Sequence, residues 1–203
     1  MPIRLQLCWM VLLCATLCGP GMMPIAAAQE TRASTREPVF LVAAPELGDP
    51  NFAHTVVLVA FPEDGGPIGV ILNRPTPFTL AKLFPDEPKL KRRSDPVSFG
   101  GPVKLQALMF LFRSERATDG AVAIMEDLYL SGNADVLDKL LQRPGDGFVR
   151  YYVGYAGWAP GQLEAEIALG GWYVVPADVE TIVNADPKRI WKQLLLRATA
   201  VKT

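Results

Sequence analysis

Apolar residues in this chain fall into short, dense runs broken by proline, glycine and charged clusters, a pattern of several strands with short helices between them. Val39-Phe40-Leu41-Val42-Ala43-Ala44 follows Pro38 and predicts a buried strand. Thr55–Phe61, rich in Val and Leu, and Ile68–Leu72 predict two more. The Glu63-Asp64-Gly65-Gly66 turn between these two makes them a hairpin. Asn73-Arg74-Pro75-Thr76-Pro77 stops the third strand, and Thr79 is placed to cap a short helix through Phe84. Val97–Phe99, Ala107–Phe112, Val122–Met125 (extending toward Leu130), Phe148–Val153 and Trp172–Val175 complete the predicted strands. Helical spacing follows Asn133, with Val136, Leu137, Leu140 and Leu141 on one face. It recurs from Gly161 to Leu169, after the cap Asp178, and after Asp186-Pro187, where Ile190, Trp191, Leu194 and Leu195 form an apolar stripe.

The stretch Gly154-Tyr155-Ala156-Gly157-Trp158-Ala159-Pro160-Gly161 reads as a strand turning sharply into a helix N-terminus. Six to eight strands with intercalated short helices give a single α+β (mixed α/β) domain. At 203 residues, half of them apolar and a fifth charged, the chain is long enough to bury a core.

The first thirty residues are different in kind. Arg4 is the only charged side chain before Glu30, and Leu5–Cys18 is an apolar run broken by Gly19-Pro20-Gly21. Ala26-Ala27-Ala28 offers small residues to a signal peptidase, placing cleavage between Ala28 and Gln29. Residues 1–28 therefore read as a secretory signal peptide, too short for a comfortable membrane span. Residues 29–37 read as a flexible polar lead-in, and 38–203 as the folded domain. Cleavage leaves no stable membrane span and a periplasmic or secreted protein. Met22 or Met23 as the true start gives the alternative, a cytoplasmic chain.

All three cysteines, Cys8, Cys14 and Cys18, lie in the leader, each preceded by Leu rather than the small residue of a lipid-attachment site. The processed chain then has no disulfide, thiolate metal site or Cys nucleophile. Its charge balance, 19 basic against 21 acidic residues once Arg4 is removed, draws it to no polyanion.

Candidate chemistry is sparse. His54 is the only histidine, and without Cys it assembles no typical zinc site. No Gly-x-Ser-x-Gly or P-loop pattern appears. Lys89, Lys91, Arg92 and Arg93 form a basic cluster flanked by Asp86, Glu87 and Asp95, the composition of a solvated loop. The glycine-rich turn offers backbone N–H groups near Gly161 to an anion, but Gly154 and Gly157 serving a tight turn, with Tyr155 and Trp158 in the core, is the simpler reading. Glu164 and Glu166 fall early in the following helix, where acids favour the macrodipole. The candidate ligand or partner surface is Asn73, Arg74, Gly100, Gly101, Tyr155, Trp158 and Gln162: if these converge, they make a pocket with one cation, an amide and aromatic walls.

Several of these segments stand in a recognisable order: Leu41-Val42-Ala43-Ala44-Pro45, Asp49-Pro50-Asn51-Phe52, Thr55-Val56-Val57-Leu58, Gly69-Val70-Ile71-Leu72-Asn73-Arg74-Pro75, Gly100-Gly101-Pro102-Val103, Gly154–Trp158, Gly161-Gln162-Leu163-Glu164 and Trp172. In this the chain resembles the AlgH/YqgE family of uncharacterised bacterial proteins over roughly Val39–Leu196. The resemblance implies a bifurcated, partly barrel-like β-sheet packed against several short helices, and no established catalytic residues, cofactor or metal. It also implies a cytosolic protein, commonly with a polar, often His-containing stretch where this chain has Phe61-Pro62-Glu63-Asp64, so the leader is a departure. The expected function is a noncatalytic binding or accessory protein of the cell envelope, with an unknown protein or small-molecule partner. An exported chain is not expected to meet nucleic acid. The alternatives are a cytosolic, transcription-linked regulator lacking a functional signal peptide, and an enzyme using Asp/Glu and Arg without metal or cofactor.

Overall fold

The computed structural model describes residues 34–125, 127–142 and 147–200. The expected signal peptide and its Ala28–Gln29 cleavage point lie outside these residues. The first strand, β1 (Ser34–Ala43), begins four residues before Pro38, because Ser34 and Arg36 pair with Pro62 and Phe61 across a bulged register. The polar Ser34–Glu37 segment, expected as part of a lead-in, is therefore sheet edge. β2 (Val56–Pro62) and β3 (Ile68–Ile71) form the expected hairpin.

β4 (Pro75–Thr79) is a strand that its two prolines conceal in the sequence. Among the described residues it pairs only with β5 (Pro96–Phe99), so it is a branch at the margin of the sheet, where a missing N–H costs little. The short helix α1 (Leu80–Leu83) follows Thr79, whose side chain makes no cap hydrogen bond. β6 (Val103–Arg113) leads to β7 (Val122–Met125) and β8 (Leu128–Ser131), a tight hairpin where one extended strand was expected. Helix α2 (Ala134–Leu141) starts at Asn133, whose side chain accepts from the Asp135 and Val136 N–H groups, as the sequence predicts. Then come β9 (Val149–Gly157), α3 (Gln162–Ala168), β10 (Trp172–Pro176), α4 (Val179–Asn184) capped by Asp178, and α5 (Ile190–Ala200).

The strands run β10-β1-β2-β3-β9-β6-β8-β7, with β4 and β5 off that path. The fork lies on β9. Its end, Ala156 and Gly157, pairs antiparallel with β3, while Tyr151–Val153 pair parallel with β5, and β6 lies on the other side. The bifurcation implied by the family resemblance is thus present, and the sheet is curled but not closed. β7 packs against β1 and β2 through Val122 and Ile124, which share a core cluster with Val42, Val56 and Leu58.

β1 and β2 are buried on both faces, which is why they read as unbroken apolar runs. Phe40, Val42, Val56 and Leu58 face the curl and its helices α4 and α5, while Leu41, Ala43, Val57 and Val59 face α3 and the two tryptophans Trp158 and Trp172. A third cluster, under α1 and α2, gathers Phe110, Phe112, Tyr129 and Tyr151. Trp191 ties α5 to the sheet by donating Nε1–H to the Ala43 carbonyl at 2.9 Å. Among the described residues, no helix is long and apolar enough to cross a membrane.

Candidate functional site

The expected surface residues divide into three groups. Asn73 and Arg74 hold the β1–β2 loop: Asn73 Oδ1 accepts the Val56 N–H and its Nδ2 donates to the His54 carbonyl, both at 2.9 Å, and Arg74 Nη2 donates to the Ala53 carbonyl at 2.7 Å. These contacts keep His54 in a left-handed conformation (φ 58°), its ring edge-on to Trp191. The cation of the expected pocket is thus committed to a loop carbonyl.

Gly100 and Gly101 serve the fork. A Cβ on Gly101 would lie 2.3 Å from the Tyr155 carbonyl carbon, and one on Gly154 would lie 2.2 Å from the Gly101 oxygen. Two backbones therefore touch where side chains normally stand between them. Gly154 has φ +68° yet does not end its strand. It reverses side-chain parity instead: Tyr152 and Tyr155, three apart, pack with the same cluster, while Ala156 and Trp158 join the opposite one. The sharp turn expected at Gly154 comes later, between Trp158 and Gly161 (φ +80°).

Trp158 and Gln162 do meet, around a residue whose expected role was different. Glu166 Oε2 accepts the indole N–H of Trp158 at 3.0 Å and that of Trp172 at 2.9 Å; Glu166 Oε1 accepts Gln162 Nε2 at 2.9 Å. Gln162 Oε1 in turn accepts the Ala159 N–H at 3.1 Å. One carboxylate therefore joins the end of β9, the helix α3 and the start of β10. The sequence places both Glu164 and Glu166 near the helix N-terminus, but the first-turn acid is Glu164 alone. Its own backbone N–H, and then the Arg36 guanidinium, hold the Glu164 carboxyl below its ordinary value.

This knot forms one wall of a pocket of about 580 Å³. Glu46, Leu47, Asp49 and Phe52 of the β1–β2 loop also line it, together with Pro102, Val103 and Leu169. Phe52 meets Trp172 edge-on at 5.5 Å, and Trp158 meets Trp172 likewise at 6.5 Å. The loop is shaped by Asp49, whose Oδ1 accepts the Asn51 N–H and whose carbonyl accepts those of Phe52 and Ala53. Tyr155 lines an adjoining cavity of about 340 Å³ that shares Val103, Gly157 and Trp158 with the first. Asn73, Arg74, Gly100 and Gly101 line neither.

The charged side chains on the 580 Å³ pocket are Glu46, Asp49 and Glu166. This acidity argues against an anion near Gly161. The basic cluster is partly neutralised: Lys89 is paired with Asp138, which holds its ammonium above the ordinary value, and Arg93 with Asp95, which does the same for its guanidinium. Among the described residues, no three His, Cys, Asp or Glu side chains are grouped closely enough to hold a metal ion.

Residues 40–201 match the family described as DUF179: AlgH-like. The chain belongs to the AlgH-like family. It is 42% identical over 155 residues to a UPF0301 protein of Anaeromyxobacter sp. strain Fw109-5, covering 70% of this chain and 76% of that one. The solution structure of the AlgH protein from Pseudomonas aeruginosa superposes with a TM-score of 0.64 at 29% identity, covering 82% of this chain and 88% of that one. A crystal structure from Corynebacterium diphtheriae shares the fold at 23% identity, with a TM-score of 0.60 and coverage of 85% and 94%. In this AlgH-like chain the family fingerprint is mainly a set of contacts. Asp49, Phe52, Trp158, Gln162 and Trp172 line the pocket, and Gly100, Gly101 and Gly154 let the fork close. Glu46, Asp49, Phe52, Glu166 and Trp172 line the pocket but were not expected as site residues. Glu166 carried a spacing signal, one helical turn beyond Gln162, and Asp49, Phe52 and Trp172 stood in the family motifs.

Proposed function

We propose that this AlgH-like protein is a noncatalytic binding protein of the cell envelope, with the Glu46–Glu166 pocket as its ligand site. The observation that carries the reading is the state of Glu166. Two indoles and a carboxamide donate to its two oxygens, so it is held as an acceptor and orienting group. Three donors fill three of its roughly four acceptor positions, so the side chain is fixed in place rather than left mobile to exchange a proton with substrate. The pocket volume lies in the range of about 300–1,000 Å³ typical of small-molecule sites. Export is supported by the leader alone: Arg4, the apolar run to Cys18 and the Ala26–Ala28 exit.

Two experiments test the two halves. A chemically diverse fragment library is screened on ¹⁵N-labelled protein by following the indole N–H signals. Ligands are expected to move Trp158 and Trp172, and to lose that effect in Gly48→Trp, where the added ring enters the pocket mouth from a position with open space around its Cβ. Hits that ignore this substitution, or chemical turnover of a bound fragment, refute the reading. Mass spectrometry of the native N-terminus with cell fractionation tests export: a chain beginning at Gln29 in the envelope fraction is expected, and an intact Met1 chain or a Met23 start in the cytosol overturns it.

A further inference from the structure

We propose that the pocket takes a small organic cation, an ammonium or guanidinium group carried on an apolar body. The proposal rests on the binding reading above and adds the chemistry of the ligand. Three carboxylates line the pocket, and no Lys, Arg or His lies among its described lining residues. None of Glu46, Asp49 and Glu166 takes part in an ion pair among the described residues, whereas Asp95, Asp127, Asp138, Glu164, Asp178 and Asp186 all do.

The partners of Glu166 make the point sharper. Indole and carboxamide N–H groups fix a carboxylate in place, but they are neutral and leave its formal charge uncancelled. The rest of the lining is largely apolar: Leu47, Phe52, Pro102 and Leu169, with Trp158 and Trp172 only 7% and 6% exposed. Glu46 and Asp49 are exposed and partly screened by water, but the sign of the lining is uniform, so an incoming anion meets like charge and an incoming cation meets attraction. Aromatic rings on the lining add to the preference, since ring faces attract cations.

The geometry also favours an organic cation over a metal ion. The three carboxylates come from two separate elements, Glu46 and Asp49 on the β1–β2 loop and Glu166 on α3. They do not form a group close enough to share one ion. A compact divalent cation needs oxygens at about 2.0–2.6 Å. A ligand of several heavy atoms instead can place its charge near these carboxylates and its apolar body against Leu47, Phe52 and Leu169.

The test titrates the ¹⁵N-labelled processed protein with three probes of one shape: phenethylammonium, 2-phenylethanol and 3-phenylpropionate. Phenethylammonium is expected to move the Trp158 and Trp172 indole signals and to leave Trp191, bonded to Ala43 on the other side of the sheet, in place. Its affinity should fall with added salt, and about three- to tenfold in the Glu46→Gln/Asp49→Asn double variant. Both positions are exposed, and Asn at 49 keeps an oxygen for the Asn51 N–H, so the fold is expected to survive. Binding of the alcohol or the carboxylate as tight as that of the ammonium overturns the cation assignment and leaves the binding reading standing. So does an unchanged ammonium affinity in the double variant. Silence at Trp158 and Trp172 from all three probes overturns both.

Discussion

Replacing Glu166 with Leu removes the acceptor on which three elements converge. Hydrogen bonds to a charged acceptor contribute about 1.5–3 kcal/mol each, so three independent ones would amount to roughly 4–9 kcal/mol. They are not independent, since two share Oε2 and all share one side chain. The pocket also admits water, which can rehydrate the exposed edges of the two indoles. The expected net loss is therefore about 2–4 kcal/mol. For a domain of this size that is roughly 4–16 °C in Tm. Glu166→Gln separates charge from geometry. Its oxygen can still accept both indoles, but its amide N–H then faces Gln162 Nε2. Gln162 cannot simply flip, because its Oε1 holds the Ala159 N–H. One unmatched donor costs about 1–3 kcal/mol, so this variant should fall between the parent and Glu166→Leu. Thermal unfolding followed by circular dichroism gives the order of stability. Indole N–H spectra should show Trp158 and Trp172 displaced in both variants and Trp191 unmoved. A Glu166→Leu protein that melts within about 2 °C of the parent, with its indole signals in place, refutes the role assigned to this carboxylate.

The other predictions concern the frame. Gly101→Ala forces a Cβ to 2.3 Å from the Tyr155 backbone at φ +148°, so it should cost more than about 3 kcal/mol, read as loss of soluble folded protein. Tyr152→Phe should be neutral or stabilising by up to about 1 kcal/mol in denaturant titration, because the buried hydroxyl has no hydrogen-bond partner among the described residues. Burial pushes that phenol up to about 12, with the Arg150 charge opposing, so alkaline titration should leave it protonated while the fold persists. Asp178 is raised by burial but held lower on balance by the Thr181 N–H and the Arg197 guanidinium. A depressed carboxyl stabilises the fold fully above its ordinary value near 3.8 and stops doing so as pH falls through the lowered one. Asp178→Asn should therefore be less stable than the parent at neutral pH, with the gap closing only below about pH 4, as measured by urea midpoints across pH.

What the sequence determines by itself here is local. Periodicity and caps locate β1–β3, β5, β6, β10 and every helix, because a run such as Val56–Ala60 or a cap such as Asn133 acts through neighbours a few residues away. The same locality explains the misses. Pro75 and Pro77 forbid a central strand and tolerate a marginal one, and only the partner β5 shows which β4 is. Likewise Leu128 continues the apolar run of Val122–Met125, and only pairing reveals the hairpin. The family order of motifs was legible, and so was the membership of Trp158 and Gln162 in the site. Their partners were not. Glu46 and Asp49 stand more than a hundred residues from Glu166 in the chain, and no period or spacing links them. Gly154 shows the difference most plainly. Its residue type announces an unusual backbone, but a turn and a parity switch need the same φ. The fold chose the switch because Gly101 presses against it and β3 and β5 claim opposite ends of one strand. That choice sends Trp158 to the face where Trp172 and Glu166 wait, so the pocket is a product of tertiary closure written into the sequence only as glycines.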